Sequence, residues 1–291
     1  MKDKLIRAID KDKSIRIFLV RNTEMLREAQ KRHNTSPTVT AALGRTMAAT
    51  SMMGAMLKEP NHKITVHFRG TGPLKNIMAV SDGTGDVKAF VSENQIEPKL
   101  RADGKLNVGE LLVSGDITVI KDLGLKDPYI GKTQLVSGEI AEDLAQYFMN
   151  SEQQPSAVNL GVFIDGENEV SVSGGMIIQV LPDASIELIE TLEACIFTMP
   201  PISEVLREDS LEEILDKYFD MFKFKKLAET DVNWKCDCSK ERMESALISI
   251  GKEEIEKIIK EDEKAELNCH FCNTNYLFSK EELTKILKDL K

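Results

Sequence analysis

Four of the five cysteines in this 291-residue chain fall into two tight pairs. Cys236 and Cys238 flank one aspartate in "NWKCDCSKER", and Cys269 and Cys272 form the C-x-x-C of "NCHFCNTNY". Thiolates are metal ligands and nucleophiles, so this clustering points to metal binding or redox chemistry. Four of them make a closed tetrahedral Zn²⁺ site, with each sulfur about 2.3 Å from the ion. A C-x-x-C turn lets two sulfurs face one metal, and residues two apart in an extended segment project to the same side. Cys236, Cys238, Cys269 and Cys272 are therefore the expected ligands of one shared zinc ion, although C-x-C is less common than C-x-x-C in plain zinc ribbons.

Two uses of such a site stay open at this point. In one, zinc only holds a small domain together. In the other, oxidation and metal binding compete, because a thiolate bonded to zinc cannot also share a disulfide. Zinc binding is worth about 10–16 kcal/mol in zinc-finger peptides, whereas the core of so small a module supplies about 3–5 kcal/mol. Oxidant that expels the metal then unfolds the module, which is a two-state switch with a redox trigger.

Other chemistry is sparse. His270 lies inside CHFC, but four cysteines already satisfy a metal. Cys195, alone on an apolar segment, reads as a small buried hydrophobe. His33, His62 and His67 have no Ser or Cys partner at triad spacing. "RGTGPL" lacks the third glycine and the basic residue of a phosphate loop and reads as a turn. Met47, Met52, Met53 and Met56 suit an adaptable binding surface, yet core packing is the preferred reading. No hydrolase or nucleotide site emerges, and an enzyme is not expected.

The elements that must position the sulfurs begin near Asp231. A helix carrying Met243, Leu247 and Ile250 ends at Gly251, a second spans Ile255 to Ile259, and a hairpin presents CHFC. "SKEE" at Ser279–Glu282 is a capping box that opens a last helix. Upstream, "SIELIETLEACIF" places Ile189, Leu192 and Ile196 on one helical face until Pro200 and Pro201 stop it. A further amphipathic helix from Ser210 carries Leu211, Ile214, Leu215, Tyr218, Phe219 and Phe222, a stripe too apolar to leave in water, so this connector must be docked. Before Pro182, "SIRIFLVRN" and "KITVHFRG" read as strands, "TVTAALGRTMAATSMMGAML" as a buried helix, and "SDGTGDV", "RADGK" and "IDGEN" as turns. The expected architecture is α+β: a sheet-rich core domain with packed helices over 1–182, a helical linker over 183–230, and a four-cysteine zinc module over 231–291.

Composition narrows the partners. A net charge of −10 and a pI near 5.1 disfavour a nucleic-acid backbone as ligand. The charged N-terminus lacks a signal-peptide core, and no run reaches the roughly 18 apolar residues of a membrane span, so a cytosolic protein without membrane contact is expected. In a reducing cytosol, closely spaced cysteines are more often metal or redox centres than structural disulfides.

The chain resembles the heat shock protein 33 family of redox-regulated holdase chaperones of the bacterial cytoplasm. The likeness covers nearly its whole length, through "RHNTSPTVTAALGRTMAAT", "GTGPL", "VIKDLGLKDPYIG", "LVSGEIAEDLAQYFMNSEQQPSAVNLGV", "GGMIIQVLP" and, most specifically, "CDCSKER" with "CHFCNTNYLFSKEEL". The resemblance implies a reduced, zinc-bound, inactive state held by Cys236, Cys238, Cys269 and Cys272. It implies an oxidised state with Cys236 bridged to Cys238 and Cys269 to Cys272, from which zinc has left. It implies that the core domain binds clients and dimerises, that the linker loses structure, and that exposed apolar surface holds unfolding proteins without ATP. Lys88, Ser173 and Met176 stand where relatives often carry Arg, Ala and Phe, departures that bear on client binding rather than on the switch.

A thiol-disulfide oxidoreductase using CHFC is the alternative reading, and it lacks the strand-turn-helix context of thioredoxin-like enzymes. A zinc-stapled nucleic-acid binder ranks third on charge.

Overall fold

The computed structural model describes residues 2–182 and 184–289. Met1, Asp183, Leu290 and Lys291, which fall within the expected domains, lie outside the described residues. The chain divides into two compact units, Met1–Lys235 and Cys236–Lys291.

The larger unit opens with β1 (Lys4–Ile9), β2 (Ile15–Arg21), α1 (Thr23–His33) and α2 (Pro37–Gly54), followed by β3 (Lys63–Gly70), β4 (Asn76–Asp82) and β5 (Val87–Val91). It continues through α3 (Gly109–Leu112), β6 (Gly115–Asp122), β7 (Tyr129–Gln134), α4 (Ala141–Glu152), β8 (Ser156–Ile164) and β9 (Val170–Val180). Then come α5 (Ile186–Thr198), α6 (Ile202–Glu208), α7 (Leu211–Tyr218), a 3₁₀ turn (Asp220–Phe222) and β10 (Lys225–Asp231). The strands form two antiparallel sheets of five, ordered β10-β1-β2-β9-β8 and β5-β4-β3-β6-β7. The "SDGTGDV" and "IDGEN" turns join β4 to β5 and β8 to β9, as their Gly/Asp chemistry requires.

Helix α2 packs against strands of both sheets and is almost wholly buried. That position explains its composition. A Cβ on Gly44 would stand 2.4 Å from Leu26 Cδ2, so only the smallest residue lets the helix approach. The buried Thr46 and Thr50 hydroxyls donate to the carbonyls of Ala42 and Thr46, which removes the cost of burying them. Met47, Met52 and Met53 are buried here, and Met56 packs partly against them, so the methionine cluster belongs to the core.

Period-2 alternation gives the first sheet a second apolar face. Ile6, Ile17, Leu19, Met176 and Ile178 point to it, and the connector covers it with Ile202, Leu206, Leu211, Ile214, Phe219 and Phe222. Ser210, where the helix was expected to begin, caps α7: its Oγ accepts from the Glu213 N–H at 3.2 Å while its own N–H donates to Glu213 Oε2 at 2.7 Å. A Cβ on Gly161 of β8 would stand 2.8 Å from Ile202 Cγ2, so this glycine lets α6 seat on the sheet.

The connector departs from expectation in two places. Its last stretch is the strand β10, paired antiparallel with β1, where a helical linker to residue 230 was expected. Helix α5 buries only Leu192 of its expected face, leaving Ile189 and Ile196 partly covered and Phe197 90% exposed. Cys195 is accordingly half-buried, with its thiol 3.7 Å from Met221 Sδ.

The smaller unit comprises α8 (Lys240–Ser249), α9 (Lys252–Glu261), β11 (Lys264–Asn268), β12 (Asn275–Ser279) and α10 (Lys280–Asp289). Its core is Leu247, Ile255, Ala265, Phe278, Leu283 and Ile286, with Met243 partly buried. Ile250, expected on the apolar face of α8, is exposed because the helix ends at Ser249 and Gly251 turns the chain with φ +93°. The Ser279 N–H donates to Glu282 Oε2 at 2.9 Å, closing the capping box that starts α10.

Candidate metal centre

The hairpin β11–β12 is in register from Lys264↔Ser279 to Asn268↔Asn275, and its loop carries Cys269 and Cys272. Within that loop the Cys272 and Asn273 N–H groups both donate to the Cys269 carbonyl, at 3.2 and 2.8 Å, which is the tight turn that aims two sulfurs one way. Asn273 takes φ +54°, a left-handed conformation that asparagine tolerates better than most residues. Cys236 and Cys238 come from the extended stretch before α8, whose Ser239 cap accepts from the Arg242 N–H. The Arg242 guanidinium also ties back to Asp237, at 2.5 Å from its carboxylate, fixing the residue between the two cysteines.

These four sulfurs all lie within 4.8 Å of one another. Cys236 Sγ stands 3.7 Å from Cys269 Sγ, and Cys238 Sγ 3.3 Å from Cys272 Sγ. Sulfurs at tetrahedral positions about 2.3 Å from zinc are about 3.8 Å apart, so both the donor set and its spacing fit the ion. His270 is exposed and stands outside the four-cysteine group.

The sulfurs are not equivalent. Burial pushes the Cys236 thiol up, to the side that resists ionisation. Burial also raises Cys238, partly offset by the Tyr276 hydroxyl, which donates to its sulfur at 3.1 Å. At Cys272 burial acts the same way, but Thr274 and the neighbouring Cys238 and Cys269 thiols outweigh it and bring the pKa down to about 7. The Thr274 hydroxyl lies 3.2 Å from that sulfur, accepting from the thiol or donating to the thiolate. Tyr276 and Thr274 escaped the sequence reading. Their only signal was a hydroxyl-bearing residue two and four positions past a metal-type cysteine.

The remaining histidines do not gather into a site. His33 Nε2 lies 3.0 Å from the Ala89 carbonyl, and His67 Nε2 lies 3.0 Å from Asn76 Oδ1. Ser173 and Met176 are buried, with the Ser173 hydroxyl donating to Asn22 Oδ1.

Fold and site together define a two-unit α+β protein whose smaller unit carries a four-thiol centre able to hold a metal ion. A family model described as Hsp33 protein matches residues 3–279. The 33 kDa chaperonins of Alkaliphilus metalliredigens and Clostridioides difficile are 47% and 45% identical over 292 aligned residues, covering 100% of this chain and of each relative. A crystal structure of the 33 kDa chaperonin (heat shock protein 33 homolog) of Thermotoga maritima superposes with a TM-score of 0.91 at 34% identity, over 99% of both chains. The chain belongs to the Hsp33 family, and a chaperone function goes with that membership.

Proposed function

We propose that this protein is a redox-regulated, ATP-independent holdase that binds unfolding proteins under oxidative stress. The observation that carries this reading is the convergence of four sulfurs from two distant segments in a unit whose core, among the described residues, has six buried apolar side chains. Cys236, Cys238, Cys269 and Cys272 bind one Zn²⁺ in the reduced, inactive state. When bound, the ion cross-links the β11–β12 loop to the segment before α8, a constraint worth more than that core supplies.

Oxidation removes two electrons and two protons from each thiol pair. With peroxide as oxidant, each Cys236–Cys238 or Cys269–Cys272 bridge forms as one peroxide becomes two waters. The zinc leaves with its ligands spent. All four sulfurs lie within 4.8 Å of one another, so within each proposed pair the two thiols are already neighbours at rest. The zinc module, 231–291, then loses structure, followed by the linker, 183–230, and the apolar face of the core domain, 1–182, is bared to clients. The activated chain dimerises. It works in the cytoplasm, without nucleic acid, membrane or enzymatic turnover; among the described residues no helix is long and apolar enough to cross a membrane.

The test measures zinc content, free thiols and suppression of client aggregation on one sample before and after peroxide. About one zinc released with four thiols lost and aggregation suppressed supports the reading. Oxidised protein that stays inert toward an unfolding client ends it.

A further inference from the structure

The last residues of the larger unit lie along it as an extended segment. The Val87 N–H donates to the Asn233 carbonyl at 3.0 Å, and the Lys235 N–H donates to the Val87 carbonyl at 3.0 Å. This parallel pairing of Trp234 with Val87 uses the outer edge of β5, the terminal strand of its sheet. Side chains reinforce it. The Asp86 carboxylate accepts from the Asn233 backbone N–H at 2.9 Å, and the Lys235 ammonium stands 3.2 Å from Asp86 and 3.3 Å from Asp82. The Trp234 ring meets His33 edge-on, with centroids 6.2 Å apart.

The slot thus offers an open strand edge, an aromatic seat and a pair of carboxylates. Nothing in that chemistry requires the occupant to be the same chain, because strand addition reads the backbone of any extended peptide. The present occupant also fits imperfectly. The Trp234 Nε1–H is buried with no acceptor among the described residues, and beside it lies a cavity of about 350 Å³ bordered by Asp3, Met25 and Val232. A buried donor without a partner weakens the contact that buries it.

We propose that this slot is a client-binding site, filled at rest by the chain's own Asn233–Lys235 and opened when that segment departs. The client it fits is an extended, unfolded stretch in which an aromatic residue is followed by a basic one: backbone on the β5 edge, ring against His33, cation between Asp82 and Asp86. The inference rests on the redox reading above, since Lys235 is bonded directly to Cys236 and dismantling the sulfur centre frees that end of the segment. A tethered occupant competes at high effective concentration, so a client's apparent affinity is reduced by the fraction of time the slot stands open.

The test uses a fluorescein-labelled peptide, TDVNWK, copied from Thr230–Lys235 and titrated into full-length protein by fluorescence anisotropy. Oxidised protein binds it at least about tenfold more tightly than reduced, zinc-bound protein, and Asp86→Asn costs the oxidised form about tenfold. Trp234→Ala and the exposed charge reversal Lys235→Glu loosen the occupant without any redox step, so both variants take up the peptide while reduced. Equal affinity for the two redox forms, indifference to Asp86→Asn, or no uptake by either reduced variant overturns the proposal. A parallel aggregation assay separates the two ideas. Oxidised wild type that protects an unfolding client yet ignores the peptide sinks the slot alone, whereas failure to protect sinks the redox reading, and the reduced variants still decide the slot.

Discussion

At Cys238 the Tyr276 phenol donates to the sulfur at 3.1 Å, partly offsetting the burial that resists ionisation of this proposed ligand. Groups that orient a metal ligand are typically worth ten- to a hundredfold in metal affinity, so Tyr276→Phe should weaken zinc binding by about tenfold in a competition titration against a chromophoric chelator. Cys269→Ser removes one of the four proposed zinc ligands. Zinc content should fall from about one equivalent to near none by elemental analysis, with loss of the far-ultraviolet signal of α8–α10. A different residue makes stability depend on pH. Asp3 accepts from the Glu24 and Met25 N–H groups at the start of α1, yet burial pushes its pKa up to about 6. The folded chain therefore holds this proton more tightly than the unfolded one. That contribution to stability is complete below about pH 4 and is lost as pH rises through about 6. Urea unfolding across this range should show wild type losing on the order of 1–3 kcal/mol relative to Asp3→Asn. The cysteine ligand candidates were legible because metal chemistry writes itself as spacing. Tyr276 and Asp3 were not, because each matters through a neighbour that only folding supplies.

Among the elements, the connector is where sequence and tertiary structure share the decision. Helix α7 announced itself through the apolar stripe that begins at Leu211, and the structure adds a capping box at Ser210. Strand β10 did not. Its residues are mostly exposed and charged, with no alternation to mark a strand, and they become one by completing the edge of β1. Seating of α6 depends on Gly161, where an added side chain would collide with Ile202 and the Ser203 backbone. Gly161→Val should lift α6 from β8, so that limited proteolysis cleaves reduced protein within residues 183–230 several times faster while zinc content stays unchanged. Cleavage at the wild-type rate would mean the connector is held by other contacts. Truncating Phe219, which is wholly buried against the sheet, should cost about 3–5 kcal/mol in denaturant unfolding of the larger unit.

For the whole molecule, the division at Lys235 separates a large core from a small one. The larger unit carries two extensive buried clusters, one on each face of its first sheet; among the described residues the smaller has a core of six buried apolar side chains around a hairpin and three helices. Chelation of the metal under reducing conditions should therefore melt α8–α10 while β1–β9 keep their amide protection in hydrogen exchange. Protection lost uniformly through both units would refute this division of labour.

The pairing of C-x-C with C-x-x-C, the buried small-residue helix and the amphipathic connector were fixed by residue type and period, which are local properties of a chain. Which edge β10 would complete, how little of α5 would be covered, and that Trp234 would lie on β5 were decided only in three dimensions. Each of those outcomes depends on an edge or face built by residues far away in sequence, and no local pattern encodes what a distant strand leaves open.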